Sequence, residues 1–93
     1  MARPIKNREI EHEQKFTCFK PTNIQLESLE KIILNEDELE ALRLTELEWL
    51  DMNSGSLKMK ISPSTFCRLV KKARFKIADF IVNWKRLRVY KNN

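Results

Sequence analysis

The clearest signal in the chain is the spacing of its apolar residues between positions 62 and 84. Phe66, Leu69, Val70, Ala73, Ile77, Phe80, Ile81 and Trp84 recur at three- and four-residue intervals. At 100° per residue they fall within about 60° of one line, the inward stripe of an amphipathic helix. Ser62 can cap that helix, and Pro63 suits its first position because the missing N–H would have had no partner there. Ser64, Arg68, Lys71 and Lys72 fall on the opposite face, flanked by Cys67, Arg74 and Lys76. Phe75 breaks the pattern by pointing away from the stripe, into the basic face.

Upstream, a second start signal is equally clear. Asn35 is a good cap, Glu38 stands three residues later, and Leu34 with Leu39 makes a hydrophobic staple. Glu36, Asp37 and Glu38 crowd a first turn where the helix dipole favours acids. A helix is expected over 36–47, with Leu39, Leu42, Leu47 and Leu50 turned inward. A shorter helix is expected over 52–59, capped by Asp51, with Leu57 and Met59 as its core contacts. Asn53, Ser54, Gly55 and Ser56 weaken it on propensity, but the small Gly55 and Ser56 allow another helix to approach closely.

The remaining segments carry weaker patterns. Residues 24–34 are apolar with mixed spacing and read as a short helical turn or an irregular packed segment. Phe16–Phe19 is short and β-prone, Leu87–Tyr90 alternates, and pairing of the two would tie the ends together. The expected fold is all-α, with short extended terminal segments: an arm over 1–23, a helical domain over 24–84 and a tail over 85–93.

Composition narrows the function classes. A chain of 93 residues makes one domain, and 42% hydrophobic with 33% charged residues is the balance of a folded protein. No apolar run approaches the ~20 residues of a membrane span. The basic start Met1-Ala-Arg-Pro-Ile-Lys6 is not followed by an apolar stretch, so no secretory signal is read and a cytoplasmic location is expected. Cys18 and Cys67 are far apart and read as free thiols. With His12 as the single histidine, neither a metal site nor any other cofactor is expected. There is no Gly-rich phosphate loop and no nucleophile beside a base, so an enzyme is not expected and no small-molecule ligand is evident.

Charge supplies the positive clue. The net charge of +5 divides into −4 over residues 1–50 and +9 over 51–93, and no acid lies between Lys58 and Lys76. Such a block raises a positive potential on one side of a small domain. Two helices, a turn of about three residues and a capped basic helix form the helix-turn-helix layout. The candidate duplex-DNA contacts are Ser62, Ser64, Thr65, Cys67, Arg68, Lys71, Lys72 and Lys76, with Arg3, Lys6 and Arg8 of the arm reaching a neighbouring groove or backbone. Arginine reads guanine bidentately in the major groove, and lysines suit phosphates. A homodimer fits paired half-sites, with Phe75, Trp84 and Tyr90 as candidate contacts. The alternative is a protein-interaction module that docks on transcription machinery or on a partner chain. RNA ranks lower, because no exposed aromatic pair for base stacking is evident.

A family resemblance runs along nearly the whole chain. It is carried by Arg3-Pro4, Phe19-Lys20-Pro21, "DELEALRL" at 37–44, Met59, Ile61-Ser62, "STF" at 64–66, Arg68, Ala73-Arg74 and Ala78, and ends with Lys85, Leu87 and Val89. On these residues the chain resembles domain-of-unknown-function family 134, small prokaryotic proteins whose helix-turn-helix part is similar to region four of sigma factors. The resemblance implies transcriptional regulation through duplex DNA. The chain departs from the family pattern at several positions. Gly55-Ser56 stands where two alanines are usual, Lys60 replaces a turn glycine, and Pro63 replaces an arginine. Trp49 and Trp84, expected in a core or an interface, stand where glycine is usual. Some members carry arm cysteines that imply a metal; this chain has Asn7 and its neighbours there, and no metal is carried over.

Overall fold

The three helices begin where their caps lie. In the computed structural model, which describes residues 15–91, α1 spans Glu36–Leu42 and continues into a wider π-turn, Arg43–Leu47. The Glu38 carboxylate accepts the Asn35 N–H at 3.0 Å, which satisfies the donor that opens the helix. α2 spans Met52–Met59 and is capped by Asp51, whose carboxylate accepts the Ser54 N–H at 2.8 Å. α3 spans Pro63–Val82, and the Ser62 hydroxyl accepts the Thr65 N–H at 3.2 Å.

A three-stranded sheet accompanies the helices, so the all-α expectation is corrected to mixed α/β. Strands β1 (Lys15–Phe19), β2 (Lys31–Leu34) and β3 (Arg86–Lys91) lie in the order β1-β3-β2. β1 runs antiparallel to β3, with Phe16 opposite Tyr90 and Phe19 opposite Leu87, the pairing expected of the two chain ends. β2 runs parallel to β3, with Ile32 opposite Leu87 and Leu34 opposite Val89. A parallel pair needs a long crossover, and the three helices form it. The stretch read as a short helical turn or an irregular packed segment holds such a turn, the 3-10 turn Leu26–Ser28, and also a strand that was not expected. Its Ile32-Ile33-Leu34 run suits a strand by propensity, but its partner lies near the other end of the chain.

The core has two parts that meet along α3. Leu34, Leu87 and Val89 of the sheet pack on Ala73, joined by Leu39, Leu42, Ile77 and Phe80. Ala41 and Leu44 pack on Phe66 and Val70, joined by Leu50, Met52, Met59 and Ile61. Phe66 is fully buried, and its ring lies so close to α2 that a Cβ on Gly55 would stand 2.3 Å from it. The expected close approach at Gly55 is real, and Ser56 beside it is buried with its hydroxyl donating to the Asn53 carbonyl at 2.8 Å.

Several inward assignments are corrected. Leu47 is 75% exposed and Leu44 is buried in its stead. The π-turn explains this: the Glu48 N–H bonds the Arg43 carbonyl at 3.1 Å, and each such turn takes up one more residue than an α-turn. The Thr45 hydroxyl also donates to the Ala41 carbonyl at 3.0 Å. Leu57 is exposed, and Met52 and Met59 make the core contacts of α2. Ile81 and Trp84 are exposed, because α3 ends at Val82 and the chain reverses at Trp84 with φ +54°. Trp49 also has positive φ, +60°, and is 85% exposed, so neither tryptophan is a core residue.

Candidate nucleic-acid interface

The turn between α2 and α3 is Lys60-Ile61-Ser62. Lys60 sits at φ +60°, ψ +44°, the left-handed region that ends many helices. Its N–H bonds the Leu57 carbonyl at 3.2 Å, and the Ile61 N–H bonds the Ser56 carbonyl at 3.1 Å. These two bonds make a complete Schellman motif and satisfy the last carbonyls of α2. Glycine is the residue that adopts this conformation at least cost, and a lysine stands here. Ile61 then packs into the core beside Met59, which fixes the direction in which α3 departs.

The first turn of α3 is held by hydroxyls. Ser62 donates to the Thr65 hydroxyl at 2.9 Å and lies 3.3 Å from that of Ser64. Ser62 and Ser64 are exposed, while Thr65 and Cys67 are half-buried. Cys18 and Cys67 are both free thiols, as expected.

The cations divide into two sets. Arg43, Arg74, Lys76 and Lys85 each meet carboxylates. Arg74 holds Glu46 through Nε at 2.9 Å and through a second guanidinium nitrogen. Hydrogen bonding from Arg74 keeps the Glu46 carboxyl below its usual pKa, and Arg43 does the same for Glu40. Arg68, Lys71 and Lys72 are exposed and have no carboxylate within ion-pair distance among the described residues. Lys58 and Lys60, at the end of α2 and in the turn, are exposed and equally unpaired. Both belong to the basic block that begins at Lys58, and their position beside the turn adds them to the candidate contacts.

Lys76 leaves the candidate set. Its ammonium donates to the Ile33 carbonyl at 2.7 Å and to Glu38 Oε1 at 2.7 Å, and the Glu38 side chain is buried. It therefore ties α3 to the edge strand β2 and to the start of α1. The helical wheel put it on the flank of the basic face, and only the tertiary placement of Glu38 shows the pairing. Arg3, Lys6 and Arg8 lie outside the described residues. Among the described residues no group of three or more His, Cys, Asp or Glu is placed to hold a metal ion, and no helix is long and apolar enough to cross a membrane.

The model of the family described as "Protein of unknown function DUF134" matches residues 1–92. A UPF0251 protein of Caldanaerobacter subterraneus subsp. tengcongensis is 46% identical over the whole of this chain and 79% of its own length. A UPF0251 protein of Vibrio cholerae is 41% identical over 94% of this chain and 89% of its own. One from Dehalococcoides mccartyi is 43% identical over 96% of this chain and 76% of its own. No solved structure matches the chain.

Proposed function

The chain belongs to the family described as protein of unknown function DUF134, and we propose that it binds duplex DNA as a transcriptional regulator, with α3 as the recognition helix. One observation carries this reading. The cations around the α2–α3 turn and on the first half of α3 are exposed and have no carboxylate partner among the described residues, whereas Arg74 and Lys76, facing α1 and its π-turn, are paired with Glu46 and Glu38. Arg68, Lys71 and Lys72 project from a helix that is capped, anchored through Phe66 and Val70, and preceded by a rigid turn. In this reading Arg68 reads a base edge, Lys71 and Lys72 meet phosphates, and the exposed Ser62 and Ser64 hydroxyls contact the backbone.

The test is fluorescence anisotropy of a labelled duplex at about 50 and about 200 mM salt. The expected result is binding that weakens steeply with salt and is abolished by Arg68→Glu with Lys71→Glu. No binding at the lower salt sinks the DNA reading. A partner protein lost on the same charge reversal, with DNA never bound, would put the interaction-module reading in its place.

A further inference from the structure

DNA binding leaves one half of α3 without a role. Phe75 is 70% exposed and Val82 is 71% exposed, and Ala78 between them is exposed as well. These three stand at i, i+3 and i+7, the anchor spacing with which one helix enters a groove of a partner. Lys71 and Lys72 lie just ahead of them on the same outer side of the helix.

Beside this strip lies an apolar groove. α1 and α3 enclose an open groove of about 1010 Å³ whose apolar lining is Leu39, Leu42, Leu47, Ile77 and Ala78. Its rim carries Glu36, Glu40 and Glu46, with Glu48 beside them; Arg43 pairs with Glu40 and Glu48 and Arg74 with Glu46, so these four carboxylates outnumber the two arginines and the rim stays net acidic. The groove thus offers apolar surface under an acidic rim, and the strip offers apolar anchors next to bases. Ala78 belongs to both.

We propose that a second copy of this chain occupies the groove, forming a two-fold dimer in which the Phe75–Val82 strip of each protomer seats in the α1–α3 groove of its partner, about an axis near Ala78. Because strip and groove adjoin on one molecule, one rotation satisfies both contacts, and the interface closes. The small side chain of Ala78 lets the two α3 helices cross closely. Lys71 and Lys72 stay exposed at the edge of the interface, where they attract the net acidic rim of the partner at long range and keep their own ammonium groups open to phosphate. Arg68 lies ten residues before Ala78. An antiparallel crossing therefore sets the two Arg68 residues up to ~30 Å apart along the helix direction, at ~1.5 Å per residue. That is near the ~34 Å between successive turns of a DNA groove. The dimer does not depend on DNA binding, although it would suit paired half-sites.

The experiment is sedimentation equilibrium of the full chain without DNA, from about 1 to about 100 µM, the range in which micromolar dimers dissociate. The expected result is reversible association to twice the chain mass. Phe75→Glu in the strip and Leu47→Glu in the groove should each weaken it at least tenfold. Both residues are exposed, so the variants should keep the far-UV circular dichroism and melting of the parent. Leu57→Glu, exposed on α2, should leave the dimer unchanged. A monomer throughout the range overturns the proposal, and so does a dimer that both Phe75→Glu and Leu47→Glu leave intact. Arg68→Glu keeps the two ideas apart: it should remove DNA binding and leave the dimer.

Discussion

Replacing Lys60 by glycine should stabilise this protein, although glycine is normally the poorer residue near a helix. The reason lies in one dihedral. Lys60 is held at φ +60°, ψ +44° by the two Schellman hydrogen bonds that close α2. An L-residue with a Cβ costs roughly 1–2 kcal/mol there, from the crowding of Cβ against the following carbonyl oxygen. Glycine avoids that cost but loses more freedom on folding, by roughly 0.5–1 kcal/mol. The net expectation for Lys60→Gly is a gain of about 1 kcal/mol, or a rise of roughly 4–8 °C in Tm for a domain of this size. Lys60→Ala is the control, since it removes the same charge and stem but keeps the Cβ. In a helix interior alanine outranks glycine by about 1 kcal/mol. At position 60 the order should reverse. Urea unfolding followed by circular dichroism reads both variants, with an unchanged m-value marking a change of stability alone. If Lys60→Gly is no more stable than Lys60→Ala, the strain argument fails. Both variants remove one unpaired cation from the turn, so their effects on DNA binding should match each other.

Gly55→Ala should destabilise, against the usual gain in helix propensity, because the added Cβ would meet the fully buried Phe66 ring at 2.3 Å; an overpacking cost of ~1–3 kcal/mol is expected, and a more stable variant refutes it. Lys76→Ala should cost ~3 kcal/mol in urea unfolding by stripping a buried carboxylate of its partner, whereas Lys71→Ala should stay within ~0.5 kcal/mol; equal effects would mean the two lysines are not distinct as described. The carboxyls of Asp51 and Asp79 are held below their usual pKa, chiefly by the Ser54 N–H and by the Asn83 amide. Depressed folded values mean that the stability they contribute is present above the unfolded pKa of about 4 and is lost as pH falls through the folded values. Asp51→Asn should therefore flatten the decline in Tm measured from about pH 5 downward, and an unchanged slope refutes the link. If Lys71 and Lys72 each neutralise a phosphate, each alanine variant should reduce the slope of log K against log salt by about 0.9, which titrations at several salt concentrations would read.

The sequence was most legible where the signals were local. The caps at Asn35, Asp51 and Ser62 and the stripe of α3 fixed every helix start, because N-capping and amphipathic period act within a few residues. Pairing of the two chain ends was also readable, since both segments show strand character. What was lost depended on distance or on a change of period. β2 has the right residues, but its parallel partner is separated from it by all three helices. Leu47 was misplaced because a π-turn cannot be seen in a 3.6-residue pattern, and the same slip brought Leu44 into the core. On the candidate surface, Arg68, Lys71 and Lys72 were legible as an outer face, while the withdrawal of Lys76 depends on Glu38 arriving from another element.

That withdrawal shows how the fold sorts its charge. In sequence the acids and bases are separated end to end, and the whole block from Lys58 to Lys76 looks uniform. Packing α1 and its π-turn against α3 brings Glu38 and Glu46 onto Lys76 and Arg74. The bases spared are those farther toward the start of α3 and the turn before it: Lys58, Lys60, Arg68, Lys71 and Lys72. α1 thus does two things at once. With its π-turn it buries Ala41 and Leu44 against Phe66 and Val70, and it pairs with Arg74 and Lys76 of the basic helix. The surplus positive charge is left on the capped end of the helix, where no acid among the described residues pairs with it. Moving an acid onto that end, as in Arg68→Glu, should therefore change ligand binding much more than folding, whereas removing Glu46 should leave Arg74 unpaired and strengthen the attraction of the same face for duplex DNA at low salt.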